Sequence, residues 1–521
     1  MQLDGDKYPV EHRRGLILGV AIALAGSGPA ISAETNAQQP DMIVDVRSRG
    51  AKGDGISDDT TSIEDAIAAA NGRAIYFKPG IYAISRPINI PDNTTLVGPS
   101  KKLYPNFSSD WMQRATSWSS ECAVLQYVAG RHGALFEGGK SLSVEGLVFR
   151  SGQKRSALDR LYHTAVSHVR FMNCVFQNLE QLAGTDESAW GAWQFSGNIV
   201  VGCATAFSGA MVDMQISNNV FTSLASSAIA LHSGAGANII DGNRFEWGKC
   251  GLIIGRNSRS NIISENIFDA HDTFAISISG ISNQNTISNN IFWRNGRSLS
   301  AAFGNSAHIV FDQCEPQPLQ GNIFMAGNAD GGGKISPLFG IDLNKLTSDL
   351  NLDANQLDSR SAVNFPVRIA GSELAGFRVK AVGTIDLRNS DPALLLNRIK
   401  ACQIYSSAVR EMITVLINQD IDLEETTELS RLRIVAVGGE RKIQMHEGNI
   451  LIIGGLDGIR ISGLYYESQN EMQLVTGDID KCRVYFGPNR LVVFEAVAAE
   501  RRRRFWQELE KANLRWVSAQ A

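Results

Sequence analysis

The sequence predicts an all-β parallel solenoid, a β-helix, and three observations lead there. A short apolar motif recurs along the middle of the chain at about 21–27 residues, the spacing of a solenoid repeat. The segments between its copies alternate apolar and polar in period two, which is strand periodicity. Gly is abundant at 49 of 521 residues while charged residues are 20%, a balance that favours a turn-rich β protein.

The elements follow in order. Gly50-Ala51-Lys52-Gly53-Asp54-Gly55 reads as a tight glycine turn. Asp58 and Asp59 then read as caps that accept from the free N–H groups of a following helical turn. That acidic pair is read as structural, not catalytic. Ile63, Ala66, Ile67 and Ala70 give the helix one apolar face. Strands are expected at Ala74–Phe77 and Ile81–Ile84, on either side of the Lys78-Pro79-Gly80 turn. An insertion at 101–122 carries Tyr104, Phe107, Trp111 and Trp118.

The repeat begins near residue 145. Its copies are Leu147-Val148-Phe149, Asn173-Cys174-Val175-Phe176, Asn198-Ile199-Val200, Asn219-Val220-Phe221, Asn243-Arg244-Phe245, Asn266-Ile267-Phe268, Asn290-Ile291-Phe292 and Asn322-Ile323-Phe324. Second strands lie between them, at Ala228–Leu231, Gly251–Ile254 and Phe274–Ile278. One coil cannot bury its own apolar face, but stacked coils bury a continuous core. The Asn before each Phe is expected at a turn, in left-handed geometry, with its amide bonded up the stack. A loop from about 180 to 196 carries Trp190 and Trp193, and loops on one face of a solenoid are where ligands bind.

The domain boundaries read as an export signal over 1–33, a β-helix over 41–340, a connecting segment or further coils over 341–412, and a β-rich module over 413–521. Strands are expected there at Val415–Ile417, Leu432–Val437, Asn449–Ile453 and Ile459–Ser462, with a terminal helix over 495–513. Arg501 to Arg504 reads as the solvated face of a C-terminal cap, with binding of an anionic polymer as the sharper alternative.

His12-Arg13-Arg14, the apolar run Leu16–Ala25 and the small residues at 29–33 resemble a signal for export, twin-arginine or ordinary, to the periplasm or the exterior. No run is long enough to span a membrane. A net charge of −4 gives no nucleic-acid footprint. Seven scattered cysteines show no metal-ligand spacing and are expected as buried apolar residues.

The stretch from Asp45 to Ser100, with its glycine turn, acidic cap, helix and strand pair, resembles the N-terminal module of the pectate-lyase-like superfamily, which includes polygalacturonase-related proteins and phage tailspikes. The resemblance implies a right-handed parallel β-helix. Polygalacturonase motifs do not carry over. Of them only Arg398-Ile399-Lys400 and the pair Asp58-Asp59 occur, the first read as chance and the second lying in the turn. Tailspikes are trimers, but no heptads here specify an oligomer, and the oligomeric state stays open.

The outward face of the stack holds the candidate site. The residue after each inward Phe should face out, which aligns Thr222, Glu246, Asp269 and Trp293. Strands stack about 4.8 Å apart, so Glu246 and Asp269 would present carboxyls at the separation of an acid and its partner. His271 joins them as the third catalytic candidate. Counting eleven residues past the Phe aligns His232, Arg256 and Ser279. His232, Arg256, Lys249, Trp293, Arg294, Trp190 and Trp193 are the substrate-binding candidates. Cross-strand ion pairs on a solvated face are the plainer reading of the same charges.

The expected function is action on a polysaccharide. In hydrolysis, Glu246 and Asp269 would be acid and base or nucleophile. In β-elimination, His271, His232 or Lys249 would take a proton beside a uronate, with Arg256 or calcium neutralising the carboxylate. No cofactor is expected otherwise. The competing readings are a non-catalytic carbohydrate-binding protein and an exopolysaccharide assembly factor.

Overall fold

The structure, a computed structural model, describes most of residues 43–462, apart from 100–120, 129–132, 152–158, 328–335, 345–349, 371–378 and shorter gaps, with the short strands Gln473–Leu474, Arg483–Val484 and Val517–Ser518 beyond. The expected export signal, the aromatic residues of the first insertion and the C-terminal helix lie outside the described residues.

Three parallel sheets of 11, 12 and 11 strands wind the chain into a right-handed parallel β-helix. Each coil contributes one short strand to each sheet. The first sheet holds strands such as Ile239–Asp241 and Ile262–Ser264. The second holds the expected repeat, including Arg244–Glu246, Ile267–Asp269 and Ile291–Trp293. The third holds the longer strands, including Ser227–Leu231 and Cys250–Ile254. The Phe positions align as read: Phe221, Phe245, Phe268, Phe292 and Phe324 are Cα partners in the second sheet. Their rings stack in the core with centroids 4.8, 4.9, 5.2 and 4.8 Å apart.

Between the first and second sheets a buried amide ladder climbs through Asn198, Asn219, Asn243, Asn266, Asn290, Asn322 and Asn355. Asn243 Nδ2 donates to Asn266 Oδ1 at 3.0 Å, and Asn266 Nδ2 to Asn290 Oδ1 at 3.0 Å. The left-handed residue is the one before the ladder Asn, as at Asn218, Gly242, Glu265 and Asn289, and not the ladder Asn itself. Each ladder carbonyl accepts from the backbone N–H of the coil below, which needs an extended Asn held inward. A second ladder, Asn238, Asn261, Asn285 and Gln317, runs between the third and first sheets.

At the N-terminus the strands Ile43–Asp45 and Asp54–Asp58 start the first two sheets, and the helix Thr60–Ala70 packs beside the first strand of the third, Ile88–Ile90. Ile63, Ala66, Ile67 and Ala70 are buried, as the periodicity requires. Asp58 caps the helix by accepting from Thr60 N at 3.1 Å. Asp59 departs from expectation. Its buried carboxylate accepts from Lys52 N and Gly53 N at 2.6 and 3.1 Å, so it closes the glycine turn. Gly53 has φ +63, and a Cβ there would press on the Tyr82 ring at 3.1 Å.

The segment read as connecting or further coils contains a strand of the third sheet, Phe365–Ala370, and an 18-residue helix, Pro392–Val409, that the sequence reading did not anticipate. Arg398 and Ile399 lie in that helix, buried, so the Arg-Ile-Lys match is helix packing. From Thr384 to Val484, parallel strands alternate between two four-stranded sheets, and the expected strands around 415, 434, 452 and 460 are among them. Among the described residues Cys122, Cys174, Cys203, Cys250, Cys314 and Cys402 are buried, as expected. No helix there is long and apolar enough to cross a membrane.

Candidate functional site

Glu246 and Asp269 are Cα partners on neighbouring strands of the second sheet, followed by Trp293 and preceded by Thr222, in the order read from the sequence. They lie on the opposite side of the strand from Phe245 and Phe268, which fill the core. Neither carboxyl reaches solvent, however: both side chains are 0% exposed. What covers them is cationic and aromatic.

Asp269 is clasped by Arg294, whose Nε donates to Oδ1 at 2.7 Å and Nη2 to Oδ2 at 2.6 Å. This two-point pairing fixes both partners. Arg294 is itself buried, with its guanidinium 4.1 Å from the Trp293 ring centre and 5.2 Å from that of Trp247. Arg294 therefore orients Asp269; it is not an open substrate contact. Glu246 Oε2 accepts from Arg244 Nε, while Oε1 is buried with no partner. Burial, more than any other influence, pushes the Glu246 carboxyl above the usual carboxyl range, and Arg244 opposes this. Two neighbouring carboxyls thus differ in their pairing, Asp269 held on both oxygens and Glu246 on one.

Trp247 is the aromatic that the sequence reading missed. It is 38% exposed and stands directly after Glu246, with the Arg297 guanidinium 4.9 Å from its ring centre. Its φ of +53 puts a bulky residue in the left-handed region, where the equivalent turns use Asn178, Gly202, Ser223 and Ala270. Such a conformation costs a bulky residue about 1–2 kcal/mol. The readable signal was a Trp at a turn position that Asn178, Gly202, Ser223 and Ala270 fill in other coils, with Arg294 as the one other large residue among these turns.

Other candidates are placed elsewhere. His271 points to the core side of the coil, its ring 6.4 Å from that of Phe268 and its Nδ1 2.7 Å from Asn295 Oδ1, so it does not share the outward face of the carboxyl pair. Burial lowers its pKa to about 4 and keeps it neutral. Trp190 and Trp193 are core residues, packed on each other and on Phe207. Trp193 Nε1 donates to Val166 O at 2.6 Å. The expectation that these two bind substrate fails because Trp190 lies in the third-sheet strand Gln181–Gly191 and Trp193 just after it, both with their rings in the core. Trp293 is half-buried and Lys249 exposed. His232 is half-buried and directly follows the third-sheet strand Ser227–Leu231, whereas the carboxyl pair stands on the second sheet. The row beyond Leu231 and Ile254 runs from His232 through Gly255 to Ser279, so the sequence alignment was one residue off at Arg256. Arg256 itself lies outside the described residues. Among the described residues no three His, Cys, Asp or Glu side chains gather as a metal site.

Residues 43–251 match the family model described as rhamnogalacturonase A/epimerase, pectate lyase-like, and residues 187–336 match the right-handed β-helix region. The preneck appendage protein of Bacillus phage PZA is 42% identical over 59 residues, 11% of this chain and 7% of that protein. A glucan 1,3-beta-glucosidase of Cochliobolus carbonum is 33% identical over 57 residues, 11% of this chain and 7% of that protein. The matches thus span under a tenth of those curated relatives. A tailspike mutant of E. coli bacteriophage HK620, solved with a pentasaccharide, superposes with TM-score 0.47 at 12% identity, covering 79% of each chain.

Proposed function

We propose that this pectate-lyase-like right-handed β-helix acts on a polysaccharide along the outward side of its second sheet, with Glu246 as proton donor and Asp269 as the partner carboxylate, both reached when the partly exposed Arg244 side chain that covers Glu246 moves aside. The observation that carries this reading is the contrast between two adjacent carboxyls. One is buried with an unpartnered oxygen and pushed towards its protonated form; the other is held on both oxygens by a guanidinium. Neighbouring carboxyls in opposed environments divide naturally into acid and base or nucleophile. Trp247 offers an exposed ring for a sugar face. The family description of residues 43–251, which names a rhamnogalacturonase and an epimerase, supports the same substrate class.

Hydrolysis fits this pair better than elimination. A lyase base would have to be Lys249, since His271 is sealed and His232 is on another sheet. Calcium belongs to the lyase alternative only. A second reading, glycan binding without cleavage, is favoured by the sealing of both carboxyls under Arg244 and Arg294. Export through residues 1–33 is part of the same proposal.

The test incubates the protein with neutral and uronate polysaccharides, with and without calcium, following reducing ends and unsaturated products together. Reducing ends alone are expected, and Glu246→Gln should lower the rate by about 10²–10⁴-fold. Ultraviolet-absorbing products would replace hydrolysis by elimination. Retardation in an affinity gel without any product would leave the binding reading in its place.

A further inference from the structure

The third sheet carries a different constellation, on a face the carboxyl pair does not share. Ser208 and His232 stand on adjacent coils, where Ser208 is the Cα partner of Ala230 two residues before His232. Ser208 Oγ and His232 Nε2 are 3.0 Å apart. That is the separation of a nucleophile and its general base. Phe207, Ile229 and Leu231 alternate into the core, so Ser208 and His232 project outward, and both are half-buried. The other ring nitrogen, Nδ1, lies 3.3 Å from Ser233 Oγ, and in the tautomer protonated at Nδ1 the Nε2 atom accepts from Ser208 Oγ.

The surroundings are built around this pair. Gly184 is the in-register neighbour of Ser208 on the preceding coil. A Cβ there would fall 2.0 Å from Gln181 Nε2 and 2.4 Å from Ser208 O. Only glycine lets the Gln181 amide lie against the Ser208 strand. One hydrogen of that amide is donated to Ala183 O at 3.1 Å, and the second is available to an oxyanion. The neighbours along the two rows, Gly184, Ala230, Ala210 and Gly255, are small. Just beyond Thr185 the register of the sheet breaks, and three extra residues intervene before pairing resumes at Trp190. Bulges of this kind re-aim side chains beside functional sites.

We propose that Ser208 and His232 form an esterase site that removes small acyl groups, with the Gln181 amide stabilising the oxyanion. Ser208 Oγ bonds to the acyl carbon as its proton passes to His232 Nε2. The ester C–O bond breaks and the departing alcohol takes that proton. Water then attacks the acyl-enzyme, giving a proton to His232, and the carboxylic acid leaves as Ser208 regains it. Ester and water become alcohol and acid, with no other reactant. That the alcohol is a sugar hydroxyl rests on the polysaccharide reading; the ester chemistry does not.

The full chain is given p-nitrophenyl acetate near neutral pH, and separately a fluorophosphonate followed by peptide mapping. Saturable release of p-nitrophenolate and a single label on Ser208 are expected. Ser208→Ala should abolish both, while His232→Ala and Gln181→Leu should each lower kcat by about 10²-fold. Labelling of the unmodified chain needs no variant to fold. Turnover no faster than buffer, a label on another residue, or a Ser208→Ala protein that keeps its rate would overturn the proposal. Glycan cleavage is read by reducing ends, so the two proposals fail separately.

Discussion

At the scale of single residues, strand alternation sets which way a side chain points, and the turns of neighbouring coils set what covers it. Period-two alternation placed Glu246 and Asp269 on adjacent strands, outside the Phe stack, because each strand shows which side is apolar. Their covering could not be read, since Arg294 reaches Asp269 from a turn 25 residues further on. His271 shows the same limit. It follows Asp269 by two residues, but the intervening Ala270 sits at φ +60 and the chain turns the imidazole inward. There it belongs to a buried relay. His271 Nδ1 meets Asn295 Oδ1, Asn295 Nδ2 lies 3.1 Å from His308 Nδ1, and His308 Nε2 lies 3.0 Å from Ser361 O. Burial lowers the two histidines to about 4 and about 3 from the ordinary 6.5. The folded state therefore binds fewer protons than the unfolded chain between those values. Stability is fully present above pH 6.5 and is lost as pH falls towards 4 and then 3. Urea midpoints measured from pH 8 to 4.5 should fall, and the gap between the unmodified chain and His271→Asn should narrow as they do. A constant gap would remove His271 from the linkage.

At the scale of elements, the second and third sheets were legible, while of the first only the strand at Ala74–Tyr76 was read. A strand such as Ile239–Asp241 has a single inward residue, Ile240, and three residues carry no measurable period. The ladder Asn marked the coils clearly, yet its backbone conformation was misassigned by one position. Its energetic role can be tested at Asn266. Replacing it with Ala removes the acceptor used by Asn243 N and Nδ2 and the donor used by Ile240 O. Orphaned buried groups cost about 1–3 kcal/mol, so Asn266→Ala should lower stability by at least that. Asn218→Ala, at the exposed left-handed position, should cost less, about 1 kcal/mol of backbone strain. Chemical denaturation of the two variants measures the order, and a larger loss at 218 would contradict the ladder's role. The glycine turn has a similar test. Asp59→Ala leaves Lys52 N and Gly53 N without their buried acceptor, and should destabilise more than Asp58→Ala, whose carboxylate is exposed.

For the molecule as a whole, the core is continuous from Val44 through the Phe stack to Ile434, so the helix Pro392–Val409 and the following sheets extend the same apolar interior. The helix is not legible in the sequence because its apolar residues spread around it and leave almost no one-sided apolar face. A solenoid must also close its ends, because an open coil offers unpaired strand edges to other chains. Here the first two sheets begin with Ile43–Asp45 and Asp54–Asp58, and the helix Thr60–Ala70 lies beside the third. A chain starting at Arg73 would lose all three. Ala74–Tyr76 and Gly80–Ile84 would become edges, and Ile75, Phe77 and Ile84 would be exposed at the open end. Size-exclusion chromatography should show this truncation as oligomers or aggregate, while a chain starting at Ile43 should elute as the full-length protein does. If both elute alike and melt together, the N-terminal module is an accessory and not a cap, and the stack is closed by its own first coil.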